Sequence, residues 1–127
     1  MVIVILGILA ATALPKFASL AGNARMASLQ GALGSIKSAS AIAHSAFLVK
    51  GSSPVTIEGT AYTMVNGYPN DTDIAALANV TSTDYTLANA TNVLTVTLGS
   101  CSFTYADAAT NASPAISAIT GDTSGAC

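Results

Sequence analysis

The first seventeen residues, MVIVILGILAATALPKF, carry no charged side chain before Lys16, and the apolar run closes at Pro15 and Lys16. Nothing in the run before Lys16 prefers water to an apolar environment. As a helix it falls short of the roughly 20 residues that cross a bilayer. Taken alone it fits a buried core helix, a helix that packs against partner chains, or a span whose beginning lies upstream. The residues that follow separate these readings.

Beyond Lys16 the helical period continues. Met26, Leu29, Leu33, Ile36, Ser40, Ala43 and Phe47 recur at alternating steps of three and four, which places them on one stripe of a helix. The other faces are mainly Ser, Gly, Gln, Lys and Ala. Lys50 followed by Gly51 is a helix stop, so a single helix of about fifty residues is predicted, reaching roughly 75 Å. The remaining residues make a body only about 30 Å across. About half of the helix must therefore protrude, and the protruding half is the apolar one. Gly7 and Pro15 lie inside it and predict a kink or local loosening, because Gly lowers helix propensity and Pro removes a backbone donor. Small residues at four-residue spacing, Gly7 with Ala11 and Ala18 with Gly22, admit close approach of another helix.

A chain of 127 residues with 51% hydrophobic and 8% charged residues is too apolar for disorder and fits one domain plus an extension. Its charges are segregated. Lys16, Arg25, Lys37 and Lys50 hold all the positive charge, while Glu58, Asp71, Asp73, Asp84, Asp107 and Asp122 hold all the negative. Four scattered bases make no basic patch, which argues against specific nucleic-acid binding by one subunit. The two cysteines, Cys101 and Cys127, suggest one bridge in an oxidising compartment, worth roughly 3 to 4 kcal/mol on the chain-entropy model. Two unrelated free thiols are the alternative.

After Ser52 the period changes to that of strands. Val55, Ile57 and residues 61–65 predict a hairpin around Glu58-Gly59, and residues 66–69 (NGYP) predict a loop. Thr72 is the expected cap of a short helix over 73–78. Residues 85–87, 93–98 and 102–105 read as three strands, the first two joined by a turn at 89–92. In the middle strand Leu94, Val96 and Leu98 share one face. Residues 106–127 read as a loop with one short strand near 115–119, too polar to bury much, so the cysteine pair would stand in for a core.

No catalytic constellation is read here. The one histidine, His44, has no carboxylate at helical spacing, and a nucleophile needs a base with an orienting partner. Residues 70–73 (NDTD) have oxygen ligands for calcium but lack the later Glu of an EF-hand loop, and helix-capping and solvated-loop roles are expected instead. No metal or cofactor is predicted. Sequons at Asn70, Asn79, Asn89 and Asn111 are expected to serve as turn and surface residues.

The opening motif GILAATALPKF (residues 7–17), entered through an apolar run and followed by an amphipathic helix, a small sheet and a late cysteine pair, resembles the bacterial type IV pilins. NARMASLQGALGSIKSAS (23–40), VNGYP (65–69) and CSFTY (101–105) are most similar to the mannose-sensitive haemagglutinin subgroup. The resemblance implies an α+β fold: a long N-terminal helix, its apolar half protruding, packed on a small antiparallel sheet head with a C-terminal disulfide-bounded loop. Residues 1–25 would be membrane anchor and filament core, and residues 26–127 the globular head. Val2, Ile3, Val4, Ile5, Leu6, Ile8, Leu9, Leu14 and Phe17 would line the filament core, with Gly7 and Pro15 bounding the stretch that loosens on assembly. Cys101 and Cys127 would bound the variable surface region.

The implied function is a major structural subunit polymerising into a surface filament for attachment and motility, drawn from an inner-membrane pool by the pilus assembly machinery. The family's mature chain starts upstream of Met1, with a methylated Phe and a Glu soon after. This sequence is accordingly expected to begin inside the mature chain. A rival reading is a type II secretion pseudopilin, though major pseudopilins typically lack this cysteine pair and carry a calcium loop. Another is a membrane-anchored adhesin that binds sugar through Tyr62, Tyr68 and Tyr85.

Overall fold

The structure, a computed structural model, describes residues 1–121 and 127; residues 122–126 and the side chain of Ala18 lie outside that description. Helix α1 runs Val2–Lys50 without interruption, 49 residues and about 74 Å. It ends where Gly51 turns left-handed at φ 74° and donates its N–H to the Phe47 carbonyl, with Lys50 in the last turn. Gly7 and Pro15 do not break it in the single chain.

The stripe from Met26 to Phe47 faces inward as its spacing requires. Leu29, Ile36, Ser40 and Ala43 are buried and Met26, Leu33 and Phe47 half-buried, with Ala32 and Ala39 widening the stripe. The polar member, Ser40, hydrogen-bonds the phenol of Tyr105, which itself donates to the Pro69 carbonyl at 2.6 Å. A buried hydroxyl is tolerated there because it is paired.

Four strands form the main antiparallel sheet in the order β5 (Thr86–Ala90), β6 (Val93–Leu98), β7 (Cys101–Ala106) and β8 (Ala115–Ile116). Leu94 pairs with Tyr105, Val96 with Phe103 and Leu98 with Cys101, so one face of the two central strands is wholly apolar or aromatic. That face packs with Leu29, Ile36 and Ile74 into one core. Two small hairpins precede it: β1 (Val55–Ile57) with β2 (Thr60–Tyr62), and β3 (Met64–Val65) with β4 (Tyr68–Pro69). Val55 and Met64 meet Ala43 in a second, smaller core. The architecture is α+β, a long N-terminal helix on small antiparallel sheets.

Several local expectations change. Residues 61–65 are not one strand. The chain divides at Thr63, whose N–H binds the Asp73 carboxylate at 2.6 Å and whose carbonyl accepts from Asn70. Tyr68 and Pro69, expected in a loop, form β4, because Asn66 and Gly67 both have positive φ and make a two-residue hairpin turn. The same geometry at Thr91 and Asn92 carries β5 through Asn89 and Ala90, which the sequence reading assigned to the turn. Thr72 does not cap α2 (Ile74–Leu77). Asp73 occupies the cap position without a side-chain cap bond, its carboxylate engaged by Thr63, and Asn70 Oδ1 accepts the Asp73 N–H instead.

Candidate functional site

The feature that sets this molecule apart is apolar surface on a helix with nothing over it. Val2, Ile3, Val4, Ile5, Leu6, Ile8, Leu9, Leu14 and Phe17 are each 57–84% exposed. An 18-residue stretch of α1 is apolar enough to cross a membrane, and none of it is buried. Its one hydroxyl before Lys16, that of Thr12, folds back onto the carbonyls of Ile8 (3.3 Å) and Leu9 (3.1 Å), so no donor in the side chains is left to water. Pro15 has no N–H to offer the Ala11 carbonyl, which loses its ordinary helical partner.

Where the helix enters the head it is tied to the far end of the chain. Cys101 and Cys127 are joined in a disulfide, with Cα atoms 5.2 Å apart, and Arg25 Nη1 donates to the Cys127 carbonyl at 3.1 Å. The closure depends on Gly99. It sits at φ +64°, and a Cβ there would lie 1.8 Å from the Cys127 carbonyl oxygen. Both cysteines belong to the main core, so the bridge joins the late segment to buried structure rather than to a loop tip. Tyr85 adds a second tie, its hydroxyl lying 2.8 Å from Ser28 Oγ and 3.1 Å from the Ser28 carbonyl.

Surface depressions flank the C-terminal half of α1, and two of them stand out by size. One, of about 570 Å³, lies between α1, the β1–β2 hairpin and α2, with Ile42, Ile57, Tyr62 and Leu77 in its wall and Glu58 at its rim. The other, of about 390 Å³, is bordered by Lys37, His44, Tyr68 and Ser113. His44 takes a packing role. Its Nδ1 lies 2.8 Å from the Gly67 carbonyl, and its ring stacks on Tyr68 with centroids 4.0 Å apart. Since a carbonyl only accepts, Nδ1 carries the proton.

The buried polar groups serve the fold. Burial pushes the Tyr105 phenol up to about 12, with Ser40 pulling it back and the charges of Asp107 and Asp71 adding to the rise. Burial also raises Asp107 above the usual carboxylate range, offset by the Asp71 N–H it accepts at 2.6 Å and reinforced by the Asp71 charge. Among the described residues no three His, Cys, Asp or Glu side chains gather as a metal ion would need.

The structure therefore brings the predicted core residues onto one exposed helical half and joins the predicted cysteines. Sequence reading missed the groove beside Glu58, which is assembled from three separate elements, and the role of Arg25. Gly99-Ser100 directly before Cys101 was the one signal pointing to a close backbone approach there. No protein-family model, no curated protein and no solved structure matches the chain.

Proposed function

We propose that this chain is a major structural subunit of a type IV pilus, held in the inner membrane through residues 1–25 and then polymerised through the same residues into a surface filament. The observation that carries the reading is the contrast between a head with its own closed core and an apolar half-helix, part of the same continuous α1, with no cover at all. Covering an apolar side chain of this size is worth roughly 1.5 to 3 kcal/mol, and nine of them in the first seventeen residues make lipid or other copies the favourable surroundings. The resemblance of GILAATALPKF to the pilin opening motif supplies the choice of filament. In this reading Gly7 and Pro15 mark where α1 loosens when it is drawn from lipid into the filament, since the helix there has the weakest propensity and a missing hydrogen bond. The head faces outward and serves attachment, with motility as a further use of the same polymer.

The test is electron microscopy of sheared cell surfaces bearing the unmodified chain or the Ile8→Asp and Leu9→Asp variants. Long filaments of the unmodified chain are expected, and both variants should lose them while the head keeps its disulfide and its melting transition. Filaments of normal length in the variants would overturn the reading.

A further inference from the structure

The segregation of charge has a partner in shape. Helix α1 carries every base and no acid, and every acid lies at residue 58 or later. Two of the bases are used internally: Arg25 on the Cys127 carbonyl and Lys50 on the Pro54 carbonyl. Lys16 has no such acceptor among the described residues. It stands on the protruding half with Leu14, Phe17 and Leu20 exposed around it, so this part of α1 presents large apolar groups beside a single cation.

The complementary arrangement sits on the head. Glu58 is exposed at the tip of the β1–β2 hairpin, held there by a turn in which it and Gly59 both have positive φ, and it has no donor among the described residues. Beside it the 570 Å³ groove offers apolar wall from Ile57 and Leu77 and from Ile42, which is 61% exposed although it lies in the middle of the head. A groove with this apolar wall, polar Ser35, Ser38 and Asn79 in the rest of its lining, and one anion at its rim fits an apolar helix bearing one cation.

Resting on the filament reading above, we infer that this groove receives the Lys16 and Phe17 region of a second copy, with Lys16 paired to Glu58. The groove lies along α1 at about the level of residue 40, about 36 Å along the axis from residue 16. A copy displaced by that distance lays its residues 2–17 beside residues 26–41 of the first. The outer face there is built from small residues, and a Cβ placed on Gly31 or Gly34 would meet nothing within 4 Å, so a neighbouring helix has room to approach. The contact uses different surfaces on the two copies and repeats without closing, which generates a fibre rather than a dimer.

The proposal is tested in the full chain, in its filament, by charge exchange. Lys16→Glu and Glu58→Lys should each lower filament yield by at least about tenfold, because like charges would then face each other, and the double variant should return it to near the unmodified level. A second measurement is independent of charge. A Phe17→Cys, Ile42→Cys chain should give a ladder of disulfide-linked multimers on oxidation of its filaments. A double charge variant no better than the worse single one, or normal filaments without a ladder, would overturn this register and leave polymerisation through residues 2–17 standing. Absence of filaments from the unmodified chain would overturn both.

Discussion

The two halves of α1 have similar backbones and opposite fates. From Met26 onward one apolar stripe meets the sheets and α2, with Leu29 and Ile36 completely buried, while Ile42, Leu48 and Val49 stay exposed. In residues 2–17 the side chains are at least as apolar, yet each large one is more than half exposed. The difference lies in the rest of the chain, whose sheets and α2 supply cover for one half only. Hydrophobicity in a sequence thus says that a surface must be covered, and the size of the remaining chain says whether it can be covered from within.

The same substitution placed in each half should have opposite outcomes. Leu29→Asp places an unpaired charge in the core and should cost more than about 4 kcal/mol, unfolding the head. Leu9→Asp should leave the head's melting temperature unchanged in detergent, as followed by circular dichroism. Equal melting of the two variants would show that the halves are not independent.

Next in size is the bridge. Cys101→Ser should lower head stability by roughly 3 to 4 kcal/mol in denaturant titrations, since the bond closes a long loop in the unfolded chain. The loss belongs to the head alone.

Tyr105→Phe is expected to cost about 1 to 3 kcal/mol, because Ser40 and the Pro69 carbonyl lose a buried partner. It should also change the alkaline limb. With the folded phenol raised to about 12 and the unfolded one near 10, the unfolded chain gives up its proton first. The stability that this group contributes is complete below about pH 10 and lost as pH rises through 12. Urea titrations between these limits should show that fall in the unmodified protein and a flatter one in the variant. Asp107, also raised, acts with the same sign at acid pH: its contribution is present below the unfolded carboxylate value and fades as pH rises, a slope that Asp107→Asn should remove.

Smallest is Gly7→Ala. A Cβ at Gly7 meets nothing within 4 Å, so the variant should only stiffen the protruding half, by about 1 kcal/mol, and raise its helix content in detergent without moving the head's melting.

The helix and its buried stripe were legible because both follow from local spacing: Leu29, Ile36 and Ala43 face inward as three- and four-residue steps require. The β6 alternation was legible for the same reason. Ser40 was legible as a stripe member but not as a donor, because its partner Tyr105 lies on β7 and meets it only in the folded head. The β3–β4 hairpin escaped because two-residue strands carry no period, and Thr72 was misread because Asp73 and Asn70 exchange bonds with Thr63 and with each other. For the candidate interface, the missing charge before Lys16 was enough to mark residues 2–17. The groove at Glu58 was not, since Ile42, Ile57 and Leu77 come together only through the fold.

On the filament reading the uncovered half of α1 is covered by other copies of the same chain, and a density map of the filament would reveal that cover. Residues 2–17 of every copy are expected inside the filament, covered by helices of neighbouring copies, with the disulfide-bonded heads outside. A polymer held together by heads, with residues 2–17 facing solvent, would contradict it.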